Sequence, residues 1–477
     1  MHILLIEDEL AVARRICKAL ESRCEASIDI AYSREAAIEL ASSDIDYDFI
    51  VCDLRIPTSN GGLDLSVDHG LYVHHMLRER FPGTPCMLFS GFATLENVRQ
   101  ALAGGPTVDL FGTLEEHPLV DVRRKSEQPE FLEWASEITS GLHELDDLEV
   151  ESVEDIEMTK YKSRPLRVFA RKLGGTRIVV SALGGLSGAS VFRCEVFDSL
   201  QSPRGVVVAK VDLIPEVESE IRGYHNYVVP SLEIGAFAPL AGEVLHGCGR
   251  YGAAFYKLAA NGYRDLFELV ANRVPEAAAA VRRLEDTLNR WGIRGPQSTV
   301  SIGDLRAARV SDTDLGTFTA DLDEIGWRRV EAVKLTMAQA VQHGDLHGRN
   351  ILIDTEGRPL IIDYGDVGLS SALLDAVTLE LSFLFHSEHP DNEGWPTLEQ
   401  AHNWFHLQEY ARGSPVGEIV VACREWALAT GTRLELAAIV YCHAVRQLKY
   451  EDTNKDFALA IANAAATVIM TDGGPAL

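Results

Sequence analysis

Residues 343–350 read HGDLHGRN, and the run ILIDTEGRPLIID carries the chain from there to Asp363. His343, Asp345 and Asn350 meet the spacing H-x-D-x-x-x-x-N. A carboxylate at Asp345 can orient a hydroxyl group and accept its proton. The amide oxygen of Asn350 and the carboxylate of Asp363 are oxygen ligands of the kind Mg2+ requires. That is chemistry for passing a phosphoryl group from ATP to a hydroxyl acceptor, where positioning and charge neutralisation supply most of the catalysis. A second set lies near the start of the chain. Glu7 and Asp8 follow the apolar run HILLI, Asp53 follows FIVC, Ser90 ends MLFS and Lys125 follows LVDVRR. An acidic pair for Mg2+, a carboxylate to be phosphorylated, and a hydroxyl and an ammonium to hold phosphoryl oxygens are the parts of an aspartyl phosphorylation site.

Each set needs a frame. HILLI (2–6), SIDIAY (27–32), DFIVCDL (48–54) and PCMLFSG (85–91) are short apolar runs, with helical spacing at 11–22 and 34–42 between them. Strands alternating with helices predict a doubly wound parallel sheet with helices on both faces. Its strand ends converge on one edge, where such folds bind ligands. Over residues 1–141 this pattern resembles a response-regulator receiver, a five-stranded flavodoxin-like fold. The resemblance implies Asp53 as phosphoacceptor, Glu7 and Asp8 as Mg2+ ligands, and Ser90 and Lys125 as phosphoryl contacts. Receivers carry their Lys about one strand and one helix after the hydroxyl residue. VDLFGT (108–113) has none, so Lys125 is preferred and 104–118 is read as an insertion. Residues 58–69 read as a second insertion beside Asp53. These departures leave an active phosphoacceptor and a degenerate docking domain both open. His74 and His75 read as ordinary helix residues.

Eight acidic and no basic residues fall between Glu144 and Glu157, and 142–165 is read as an acidic linker. From 166 the texture changes. Strand patterns at 177–197, 205–213 and 251–259 enclose the glycine cluster LGGLSGAS, with helical spacing at 217–229. Beyond Asn261 the patterns read as mostly helical, including WRRVEAVKLTMAQAV (327–341). A strand-rich lobe (166–260) before a helix-rich lobe (261–477) is the expected layout. HGDLH, IIDYGDVG and LLDAVTLELSFL, without an APE segment, resemble the kinase-like phosphotransferases of the aminoglycoside and choline branch. This implies a bilobal kinase-like fold that uses ATP and Mg2+. Gly184, Gly185 and Gly188 would cover the nucleotide phosphates, and Lys210 on the next strand would bind them. Glu220 would pair with that Lys; Glu218 and Glu216 are the alternatives. The lobes would join near 258–261. His343 and Asp345 belong to the catalytic loop, Asn350 and Asp363 hold metal, and Asp375 is the acidic residue of the following helix. His347 would brace the loop; Arg349 reaches phosphate or is solvated.

The chain has 477 residues and a net charge of −27, from 44 basic and 71 acidic side chains. So negative a surface repels phosphate backbones and anionic lipids, which argues against nucleic acid and membrane as partners. Acidic residues interrupt the opening apolar run, so no signal sequence is read there. The apolar run 457–471 is too short to span a bilayer. Eight cysteines in no zinc spacing suit reduced thiols and a cytoplasmic setting. The expected function is an ATP- and Mg2+-dependent phosphotransferase regulated by a receiver, itself phosphorylated by a sensor histidine kinase or a small phosphodonor. The alternative is a nucleotide-binding pseudokinase that passes receiver state to a protein partner. The acceptor is not legible. Acidic residues across 262–335 suit a cationic acceptor, and solvated helix faces account for them equally well.

Overall fold

A computed structural model of the chain describes residues 1–22, 25–91, 107–153, 156, 158–183, 190–258, 262–289, 291, 295, 297–392 and 394–473. It divides into two compact units, Met1–Ser219 with Pro239–Leu258, and Glu220–Ala238 with Ala259–Leu477.

The first unit opens with a parallel sheet of β1 (His2–Ile6), β2 (Ser27–Ala31), β3 (Phe49–Cys52), β4 (Cys86–Ser90) and β5 (Val120–Arg124), in the order β2-β1-β3-β4-β5. This is the flavodoxin-like order. Helices α1 (Leu10–Glu21), α2 (Arg34–Ala41), α3 (Val67–Arg80) and α4 (Gln128–Asp146) connect or follow these strands. β3 and β4 are buried along their whole length, as central strands covered on both faces must be. Apolar clusters lie on each face, one around Ile3, Leu5, Val51 and Phe131, the other around Leu4, Ile6, Ile50 and Val73. Ser33 and Ser66 cap α2 and α3 by accepting from backbone N–H groups.

The region read as a linker is folded. Residues 142–146 complete α4, Glu149–Ser152 form β6, and Lys160–Lys172 form α5. β6 pairs in parallel with β7 (Arg177–Ala182), so its acidic side chains occupy the outer strand of a sheet. A run that avoids the core can still satisfy its backbone along a sheet edge, and charge there discourages further pairing. β7 continues antiparallel through β8 (Ser190–Phe197), β9 (Pro203–Leu213), β11 (Tyr251–Tyr256) and β10 (Leu240–Val244). α5 buries Leu166, Val168, Phe169 and Ala170 against this six-stranded sheet.

Buried polar contacts join the first sheet to the second within this unit. Arg164 of α5 is fully buried, with Nη1 2.5 Å from Asp48 Oδ1 and Nη2 2.8 Å from Asp146 Oδ2. Lys160 Nζ lies 2.8 Å from Asp48, and the Tyr161 hydroxyl donates to the Asp46 carbonyl at 2.7 Å. Gly83 N–H donates to Gly249 O at 3.1 Å, and Gly247 N–H to Gly83 O at 2.9 Å. A Cβ on Gly83 would stand 2.8 Å from Gly249 O, so these loops approach only through glycine. The 104–118 insertion also contributes: Leu110 and Phe111 are buried in the first core.

The second unit is largely helical, with one correction to the expected pattern. Trp327–Glu331 is a helix, but Lys334–Gln342 is a strand, β12, paired antiparallel with Gln297–Ser301 and Gly368–Ser371. Lys334 and Thr336 are exposed while Leu335 and Met337 are buried. That alternation has the period of a strand and was masked by the helical spacing upstream. β12 ends at the HGDLHGRN motif. Ile351–Ile353 and Pro359–Ile361 form a hairpin, β13 and β14, and Leu374–Phe385 the expected helix, α6. Among the described residues no helix is long and apolar enough to cross a membrane, and seven cysteines are free thiols.

Candidate functional site

In the first unit, β1, β3, β4 and β5 deliver Glu7, Asp8, Asp53, Ser90 and Lys125 to one edge of the parallel sheet. Lys125 Nζ lies 2.6 Å from Asp53 Oδ2 and 2.7 Å from Glu7 Oε2. Glu7, Asp8 and Asp53 each bring one carboxylate oxygen within 4.8 Å of the others. No other group of three or more His, Cys, Asp or Glu side chains among the described residues is placed to share a metal ion. An all-oxygen anionic donor set fits Mg2+. Burial pushes Glu7 up to about 7 although Lys125 pulls it down, and burial with the charge of Asp53 raises Asp8. Burial depresses Lys125, but Asp53 and Glu7 outweigh it and leave the ammonium above its ordinary value. The Ser90 hydroxyl is buried and has no hydrogen-bond partner among the described residues. The second insertion is closed by a bridge between Ile56 and Ser66. His74 is half-buried beside Cys86, and burial holds it at about 4; His75 is exposed and faces Glu79.

In the second unit, the loop after β12 is fixed from behind by Asp375 on α6. Asp375 is buried, and its two oxygens accept from His343 N–H at 2.8 Å and Gly344 N–H at 3.0 Å. The buried His343 places Nε2 2.9 Å from Ile362 O, joining the loop to the segment that ends at Asp363. Gly344 has φ +86°, and a Cβ there would lie 2.4 Å from Asp366 O. Asp345 is partly exposed. Its Oδ2 lies 3.7 Å from His347 Nε2 and its Oδ1 3.5 Å from Arg446 Nη1. Asn350 donates to the Asp345 carbonyl at 2.9 Å, closing the loop on itself. Ile362 N–H donates to Asn350 O at 3.1 Å, and Asp363 takes a left-handed φ of +66°. A non-glycine residue held there signals strain of the sort found at ligand sites.

His347 packs its ring 4.4 Å from that of His386. Burial lowers it to about 4 despite the nearby Asp345 carboxylate. A cavity of about 510 Å3 opens beyond His386, lined also by His389, Asn392, Trp395 and Phe457. Arg349 is half-exposed and paired with two carboxylates. Its Nη1 lies 2.8 Å from Asp265 and its Nε 2.5 Å from Glu388, and Asp265 caps Leu266–Asn272. Arg349 therefore ties the loop to that helix start.

Of the remaining expected residues, Lys210 lies on β9 of the first unit, between Val191 of β8 and Ala254 of β11. Glu220 of the second unit is buried with Ile221 and Tyr224, whereas Glu216 and Glu218 of the first are exposed. Gly184, Gly185 and Gly188 lie outside the described residues. Two residues at the loop were not found from sequence: Arg446, and Arg309, whose Nη1 donates to Gly344 O at 2.9 Å. Neither belongs to the HGDLHGRN motif, and only folding brings them to it.

Residues 232–413 match the model of the phosphotransferase enzyme family. No curated protein matches the chain. Among solved structures, an aminoglycoside phosphotransferase from Streptomyces rimosus is 15% identical, covering 65% of this chain and 99% of its own, at a TM-score of 0.35. An amicoumacin kinase in complex with AMP-PNP, Ca2+ and Ami is 14% identical over 62% of this chain and 89% of its own, at a TM-score of 0.29. A response regulator receiver protein from Sinorhizobium medicae is 22% identical over 29% of this chain and 94% of its own, at 0.22.

Proposed function

We propose that the chain is a phosphotransferase that moves the terminal phosphoryl group of ATP to a hydroxyl acceptor under the control of its N-terminal receiver. The observation that carries the transferase reading is the loop fixed by Asp375, His343 and Asn350, with Asp345 left at its exposed side. Asp345 orients the acceptor hydroxyl and takes its proton. Asn350 and Asp363 hold Mg2+, which neutralises phosphate charge when bound. Lys210 steadies the phosphates. Pseudokinases commonly lose one of these groups, and all are present in this sequence. The test is a labelled-ATP assay of the purified chain, with and without cell extract, beside Asp345→Asn. Equal background transfer by both, with ATP still bound, would leave a nucleotide-binding module instead.

Control by the receiver is supported by β3. Its C-terminal end leads to Asp53, and its N-terminal end follows Asp48, which Arg164 and Lys160 grip from α5. One buried four-residue strand thus separates the proposed phosphoacceptor from the contact with the second sheet. Phosphorylation at Asp53 places new negative charge beside Lys125 and draws it off Glu7. Acetyl phosphate with Mg2+ should yield an acid-stable, base-labile phosphoryl group that is absent from Asp53→Asn. Absence of label from the wild type under conditions that label an ordinary receiver would leave only a docking domain.

A further inference from the structure

The charge around Asp345 is not what the acidic composition of 262–335 suggests. Those acids are largely used locally. Asp304 Oδ2 accepts from the Ser301 hydroxyl at 2.6 Å within a capping box. Asp312 and Glu331 both hold Arg306, at 2.8 and 2.9 Å. Asp314 faces Lys449 at 3.2 Å, and Asp323 faces Arg328 at 3.0 Å. What reaches the loop from this segment is Arg309, joined by Arg446 from Arg433–Gln447.

Arg309 satisfies Nη1 on Gly344 O, but its Nη2 is buried with no hydrogen-bond partner among the described residues. A buried cationic donor left in that state is costly, and an anion is the partner that removes the cost. Arg446 sits at a loose 3.5 Å from Asp345, partly exposed. The two guanidiniums feel each other: burial and then the charge of Arg446 push Arg309 below its ordinary value. The carboxylates facing them are Asp345, Asp366 and the buried Asp375, and the neighbouring His443 is pushed well below its usual range by burial and both arginines. His443 therefore adds no charge.

We propose that the acceptor is a small hydroxyl compound bearing an anionic group, a carboxylate or a phosphate, which Arg309 and Arg446 bind while its hydroxyl meets Asp345. This rests on the transferase reading above. In the step, the acceptor oxygen forms a bond to the terminal phosphorus of ATP. The bond from that phosphorus to the bridging oxygen breaks, its electron pair leaves with ADP, and the acceptor proton passes to Asp345.

The test uses the full chain and four probes: glycerate, glycerol 3-phosphate, glycerol and kanamycin. Binding is measured by calorimetry, and transfer from labelled ATP separately. At least one anionic probe should bind, and whether it is glycerate or glycerol 3-phosphate tells carboxylate from phosphate. Arg309→Gln and Arg446→Gln should each weaken that binding about tenfold to a hundredfold, the worth of a hydrogen bond to a charged group. Arg446→Lys should restore part of it, and unchanged thermal unfolding of the variants shows that they fold. Preference for kanamycin or glycerol, binding of neither anion, or equal anion binding by wild type and both Gln variants overturns the proposal. Failure of transfer alone, with Arg-dependent anion binding intact, counts against the transferase reading and not against this one.

Discussion

Replacing Arg164 by Met should loosen the junction between the two sheets of the first unit, by an amount the geometry sets. Arg164 is completely buried, and its loss leaves the buried Asp48 carboxylate without its closest partner. Breaking a buried ion pair from one side costs about 3–5 kcal/mol. Lys160 Nζ at 2.8 Å and His2 N–H at 2.7 Å remain on Asp48, which places the cost near the lower end, about 3 kcal/mol. Amide exchange of α5 and of residues 46–52, read by mass spectrometry, should then accelerate roughly 100-fold under conditions where opening limits it. Asp48→Asn in the Arg164→Met background should recover at least about 1 kcal/mol, as coupled neighbours do. Burial pushes Asp48 up, but Arg164 and Lys160 outweigh it and hold the carboxyl below its ordinary value. The folded pKa is depressed, so this stability is fully present above the unfolded value of about 4 and is lost as pH falls through the lower folded value. Arg164→Met should flatten that acid limb. Exchange of α5 in Arg164→Met within about twofold of wild type would refute the clamp, since that corresponds to only about 0.4 kcal/mol.

Other perturbations probe the loop. Gly344→Ala forces a Cβ to 2.4 Å from Asp366 O at a left-handed φ, so phosphoryl transfer should fall at least about tenfold while ATP affinity, measured by fluorescence titration, stays close to wild type. Asp375→Asn can accept from only one of the His343 and Gly344 amides; one buried N–H left unpaired costs about 1–3 kcal/mol, read as a fall of several degrees in unfolding temperature. Arg349→Met removes the contacts to Asp265 and Glu388. It should lower stability by about 1 kcal/mol, given how exposed these pairs are, and leave the KM for ATP unchanged. A large rise in that KM would mean that Arg349 reaches phosphate after all.

The parallel sheet was legible because its strands are near-continuous apolar runs with the chemistry at their ends. Lys125 could be preferred over the Lys-free VDLFGT segment, and it lies 2.6 Å from Asp53. HGDLHGRN carried its own spacing, and Asp375 stood where the resemblance implied. What was not legible depends on partners distant in sequence. The Asp48–Arg164 pair is 116 residues apart, and acidity between 144 and 157 concealed the end of a packed helix and a sheet-edge strand. Lys334–Gln342 followed a helical segment closely enough to be read with it. Arg309 and Arg446 carry no motif, and the acids of 262–335 suggested the opposite charge at the loop because composition does not say which acids are already paired.

The joining of receiver state to phosphoryl transfer is read from the rate of transfer from Mg·ATP with and without beryllofluoride, a phosphoryl mimic at Asp53, in wild type and in Asp53→Asn. Beryllofluoride should change the rate in the wild type and leave that of Asp53→Asn unchanged. An unchanged wild-type rate, with the mimic shown to be bound at Asp53, would contradict it.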